Sequence, residues 1–144
     1  LLIAGNLGGS LASVARALGV LRARFRRVFY MPGNLDLALH PEEATAFPDS
    51  VAKLLALLGA CDQLGVDVFP APVCQGVLIV PLFSWYNAWF DASDPFPNPS
   101  QKLDRQCKWG GLDPEMQVWR FMLALNDQHL RLSYPGAVIT FSHF

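Results

Sequence analysis

Charge is scarce in this chain. Of its 144 residues only 16% are Asp, Glu, Lys or Arg, 11 basic against 12 acidic, for a formal net charge of −1. So even a balance gives no electrostatic reason to expect a nucleic-acid partner or an anionic membrane surface. Cysteine is sparse too. Cys61, Cys74 and Cys107 are odd in number and irregularly spaced, which argues against a disulfide framework and a CxxC-type zinc site. Such usage favours a reducing, intracellular compartment, the cytoplasm by default. No apolar run approaches the ~20 residues of a membrane span, and the opening residues lack the basic flank and cleavage site of a signal peptide. A glycine-rich phosphate loop, a Ser-His-Asp order and a dinucleotide-binding fingerprint are likewise missing.

What the chain has in quantity is apolar side chain. Hydrophobic residues make up 52% of it, enough to exclude disorder and to fill one domain core. The absent initiator Met, and an opening that reads as the inside of a strand, predict a single but truncated domain over 1–144. Leu11, Val14, Ala15, Leu18 and Leu21 recur at helical spacing, with Ser10 as N-cap and arginines between them. Val28 to Met31 reads as a strand and Gly33 to Pro48 as a loop. A second amphipathic helix, capped by Asp49-Ser50, runs through Val51, Leu54, Leu55, Leu57, Leu58 and Cys61 to Leu64-Gly65. Short strands are expected at Val66–Phe69 and Gly76–Leu82, with Pro70 and Pro72 marking the gap between them. Ser84 to Gly111 is irregular. A third helix is expected from Pro114, capped by Asp113, to Leu130, and Tyr134-Pro135-Gly136 turns into a last strand. The alternation predicts an α/β fold with helices flanking a mixed, largely parallel sheet.

Three of those strands end alike. Leu1-Leu2-Ile3-Ala4 stops at Gly5-Asn6, Val28-Phe29-Tyr30-Met31 at Pro32-Gly33-Asn34-Leu35-Asp36, and Ala137-Val138-Ile139-Thr140-Phe141 at Ser142-His143. Open α/β sheets place ligands at the carboxyl ends of their strands, so Asn6, Asn34 and His143 are expected to converge at one sheet edge. Together these spellings resemble the calcineurin-like metallophosphoesterases, whose strands end in Gly-Asp, Gly-Asn-His-Asp/Glu and a later metal-binding His. The resemblance implies a partial α/β sandwich of that family and hydrolysis of a phosphate ester or diester. It also implies two divalent metals (Mn, Fe or Zn) and a phosphorylated small molecule as partner.

Within that frame the bridging Asp falls on Asn6, whose neutral amide is a poor bridge between two cations. Asn6 reads either as a weakened metal ligand or as an Asn favoured in a turn. Asn34 keeps the family's ligand amide, against the alternative of an Asn-type turn. The family's acid His falls on Leu35, which cannot move a proton. Asp36 is then left with no His to orient, and a loop-capping role suits it better. His143 reads as a metal ligand in the frame and as a structural His outside it. The resemblance thus implies a metal-dependent phosphoester hydrolase by descent whose metal binding is weakened or absent and whose activity is lost or impaired. A non-catalytic binding scaffold, or a gene fragment retaining the fold, is the alternative.

Trp85, Tyr86 and Asn87 follow the strand that ends at Leu82. They read either as the wall of a substrate pocket or, better, as aromatics packing a long loop onto the domain. Lys102, Arg105 and Lys108 recur every three residues, as loop cations that water can satisfy. His40, before Pro41-Glu42-Glu43, and His129 read as surface residues.

Overall fold

The computed structural model describes residues 1–87, 106–113 and 116–144. Two of the sequence's helices form where their caps lie. Strand β1 (Leu2–Ala4) leads into α1 (Leu11–Arg24). Ser10 caps α1 by accepting from the Ser13 amide at 3.2 Å, while Ser13 Oγ accepts from the Ser10 amide at 3.1 Å. Strand β2 (Phe29–Met31) follows, and then a single helical turn, α2 (Asn34–Leu37). A 3-10 turn at Pro41–Glu43 precedes α3 (Ser50–Leu64). Asp49 caps α3 by accepting from the Ala52 amide at 2.8 Å, and Gly65 ends it at φ 66°, a conformation that suits glycine.

Strands β3 (Ala71–Cys74) and β4 (Val77–Pro81) form an antiparallel hairpin turning at Gly76. Two short helices, α4 (Val118–Ala124) and α5 (Asp127–Leu130), lead to β5 (Ala137–Phe141). The first strand pair is parallel, with Leu2 opposite Phe29 and Ala4 opposite Met31. The second sheet has the order β3-β4-β5, and β4 and β5 pair in parallel from Val77–Ala137 to Pro81–Phe141. The chain is therefore α/β, with mixed sheets.

Apolar burial explains the layering. Val14 and Leu18 of α1 and Leu54, Leu57 and Cys61 of α3 pack on Tyr30 and Met31, joined by Leu37, Val66, Val68, Phe83 and Met122. The all-apolar β4 is buried from Leu78 to Val80, as expected of a strand covered on both faces. Leu55, read as part of the α3 apolar face, instead stands 64% exposed.

Several local expectations give way to tertiary structure. The segment 66–69 contributes a lone parallel bridge, Phe29 to Asp67, and the strand forms later, at Ala71–Cys74. Pro72 lies inside that strand rather than in a gap, tolerated because β3 is an edge. The 33–48 loop contains two helical turns. The third helix is divided into α4 and α5, with Asn126 between them; Pro114, its expected first residue, lies outside the described residues, as do Lys102 and Arg105.

Candidate functional site

At the carboxyl ends of β1 and β2 the chain makes two sharp turns that fit against each other. Gly5 sits at φ 80° and Asn6 at φ 58°. A side chain on Gly5 would place its Cβ 2.5 Å from the Gly33 nitrogen and 2.7 Å from His143 Nδ1, so only glycine lets the strands' tips meet there. Gly33 is equally confined, between the Asn6 amide oxygen and the His143 ring.

Asp36 holds both turns in place. Its carboxylate is fully buried and accepts from four backbone amides, Asn6 at 2.7 Å, Leu7 at 2.8 Å, Gly8 at 3.1 Å and Gly33 at 2.8 Å. A buried charge needs such a set of donors. Tyr30 and Cys61 lie close enough to feel it. Burial first, and the Asp36 charge second, raise the Tyr30 phenol far above its usual range, and the same two causes push the Cys61 thiol up to about 12. All three side chains serve the core rather than the surface.

The structure brings Asn6, Asn34 and His143 together. His143 Nδ1 lies 2.5 Å from the Ala4 carbonyl, and its Nε2 lies 3.3 Å from the Asn34 amide oxygen. Asn6 turns its amide oxygen inward, to the Leu35 N–H at 3.0 Å. Leu35 thus contributes backbone to the cluster, and Asp36 organises it from beneath. With Nδ1 at the Ala4 carbonyl and Nε2 at the Asn34 amide oxygen, both ring nitrogens face acceptors and the imidazole is fixed in orientation.

Beside this polar tip lies an aromatic pocket of about 610 Å³. Trp85, Tyr86, Asn87, Trp119, Leu123 and Phe144 line it, with Phe83 and Ser84 at its base. The Phe144 ring meets that of its neighbour His143 edge-on at 4.7 Å, so the pocket borders the polar tip. Asn126, buried between α4 and α5, anchors the loop that carries the pocket. Its amide oxygen accepts from the Phe83 N–H at 2.9 Å and its NH2 donates to the Phe83 carbonyl at 2.8 Å.

Sequence reading missed Trp119, Leu123 and Phe144 as pocket residues. The signal for the first two was their i, i+4 spacing, and for the third its place directly after His143. His129 was also misread as a surface residue. It is buried against Phe69 and Phe83, with ring centroids 5.5 Å and 6.3 Å away. Glu43, in the segment after His40, is buried as well, paired with Lys53 at 2.6 Å.

No family model matches the chain, and no curated protein does. Among solved structures it is similar to a phosphopantetheinyl hydrolase from Mycobacterium tuberculosis, with a TM-score of 0.75 and 22% identity. The likeness covers 100% of this chain and 57% of that one. The two share a fold. At that identity the likeness is one of fold alone, and the chain spans little more than half of the structure it matches.

These findings correct three expectations. The calcineurin-like metallophosphoesterase assignment has no family model behind it, and the matching structure is named for phosphopantetheinyl hydrolysis. The function drawn from that assignment, a decayed metal-dependent phosphoester hydrolase, falls with it. The scaffold or fragment alternative gains no support from the comparison either. Metal binding is corrected on the donor set. Among the described residues no three His, Cys, Asp or Glu side chains group to hold an ion. The Asn6 oxygen is taken by Leu35, His143 Nδ1 by Ala4, and the Asp36 carboxylate by four amides. The residues present do not fit the two-metal centre the resemblance implied.

Proposed function

We propose that this chain is part of a hydrolase acting on esters of a phosphopantetheinyl group, with the polar tip at the ends of β1, β2 and β5 as its site. The supporting observation is the fixed His143. Its ring is held between the Ala4 carbonyl and the Asn34 amide oxygen where the ends of β1, β2 and β5 meet, within a fold shared with a phosphopantetheinyl hydrolase. In hydrolysis, water adds to phosphorus, the ester P–O bond breaks, and the departing oxygen takes a proton to leave as an alcohol. Nε2 of His143 is the group placed to hold that proton. Asn34 orients the ring through its amide oxygen. Gly5 and Gly33 let both strand tips approach without side chains in the way.

The test uses a peptide carrying a phosphopantetheinylated serine, followed by mass spectrometry for loss of the group. The wild-type chain should release it, and His143→Ala should slow release by ~10²-fold or more. No release, or release that His143→Ala leaves unchanged, would overturn the assignment.

A further inference from the structure

The aromatic pocket has a chemistry of its own. Among the described residues that line it no side chain is charged, although the Arg120 guanidinium lies over the Trp119 ring at 5.1 Å. Its polar side chains are neutral: the Ser84 and Tyr86 hydroxyls, the Asn87 amide and the Trp85 and Trp119 indoles, with Ser84 accepting from the Phe144 amide and Trp119 donating to Gln117. Its volume, about 610 Å³, is in the range of small-ligand sites. Two of its walls stand half-exposed, Leu123 at 50% and Phe144 at 43%, and apolar surface of that kind gains from being covered.

Ring orientation narrows the occupant further. A planar base needs two roughly parallel faces with a gap between them. Here the Trp85 and Phe144 planes meet at 60° and those of Tyr86 and Phe144 at 54°. Trp85 and Tyr86 are closer to parallel, at 24°, but they stack on each other. Among the described residues the walls are tilted rings with no parallel pair left open to sandwich a planar base, and an aliphatic chain can lie across them.

We infer that this pocket is the subsite for a neutral, amide-bearing aliphatic arm whose phosphate end reaches His143 through the Phe144 contact. This rests on the function proposed above and names the part of the substrate that fixes specificity. Trp119 and Leu123, on α4, become specificity residues, although neither touches the polar tip in any contact described.

Tryptophan fluorescence, read during titration with pantetheine, which lacks the phosphate, tests the inference directly. Adenosine and inorganic phosphate serve as the comparison probes. Pantetheine should perturb the emission saturably. Leu123→Glu should weaken it by about tenfold or more, and Trp119→Ala should do likewise. Leu123 is half-exposed, so its variant should keep the wild-type far-UV circular dichroism and remain informative if Trp119→Ala fails to fold. Adenosine should bind more weakly than pantetheine. A flat pantetheine titration, tighter binding of adenosine, or equal binding by Leu123→Glu would each overturn the subsite. The two proposals fail separately. Pantetheine binding without release of the group keeps the pocket and sinks the hydrolase. Release by Leu123→Glu at an unchanged KM keeps the hydrolase and sinks the pocket.

Discussion

Asp36 shows how much a single side chain can organise. One carboxylate answers four amides from two separate turns. Asp36→Asn keeps the size but replaces an acceptor oxygen with an NH2 facing amide donors. It should cost roughly 2–4 kcal/mol, read as a lower midpoint in urea with an unchanged slope. An unaltered midpoint would show that the turns hold without the charge. The sequence made the loop-capping role of Asp36 legible, because an acidic residue just after a Gly-Asn turn has few other partners. It could not show that Asn6 spends its oxygen on Leu35, since that contact joins residues 29 apart. Nor could it show Gly5 and Gly33 as the gap that admits His143, because a glycine's neighbours belong to the fold.

At the scale of elements, the legible features were the local ones. Ser10, Asp49 and Gly65 end their helices by contacts within a few residues, and their types announce it. The brace between α1, α2 and α3 was not legible. Lys53 is fully buried and donates to the Gly9 carbonyl at 2.9 Å, the Ala38 carbonyl at 2.6 Å and Glu43 at 2.6 Å. Glu43 in turn accepts from the Leu11 amide at 2.7 Å. In the sequence each looks like an ordinary surface charge. Lys53→Met leaves a buried carboxylate unpaired and should destabilise by about 3–5 kcal/mol, and adding Glu43→Gln should recover part of that loss. Denaturant midpoints of the two variants decide it, and a double variant no more stable than the single one would count against the brace.

His129 docks α5 onto the sheet and gives this element a pH dependence. Burial lowers its affinity for a proton below the usual His value of 6.5, outweighing the Pro81 carbonyl, which acts the other way. The unfolded chain therefore binds that proton more readily than the folded one. The stability involved is fully present above pH 6.5 and is lost as pH falls from there towards the lowered folded value. Between pH 7.5 and 5.5, His129→Gln should lose less thermal stability than wild type. Equal losses in both proteins would show that this ring does not carry the effect.

For the whole molecule, alternation of strands and helices was enough to reach the α/β class, and the strand tips were enough to bring Asn6, Asn34 and His143 into one neighbourhood. Family was the step that failed. A few residues at strand ends are shared spellings of turn chemistry as well as of metal sites, and here the hydrogen bonds of Asn6 and Asp36 show those two serving the turns. The pocket was beyond reach because it is assembled from a loop, a helix and a strand end distant in sequence. On the function proposed above, a phosphopantetheinyl ligand would lie across the polar tip and the aromatic pocket, not in the groove of about 400 Å³ between α3 and the 66–71 segment. Nitrogen-15 NMR during titration with 4'-phosphopantetheine tests it most directly. The amide shifts should concentrate at residues 4–8, 33–36, 84–87, 119–123 and 142–144. Shifts gathered instead on Leu58, Asp62, Val68 and Ala71, or the absence of any saturable shift, would contradict it.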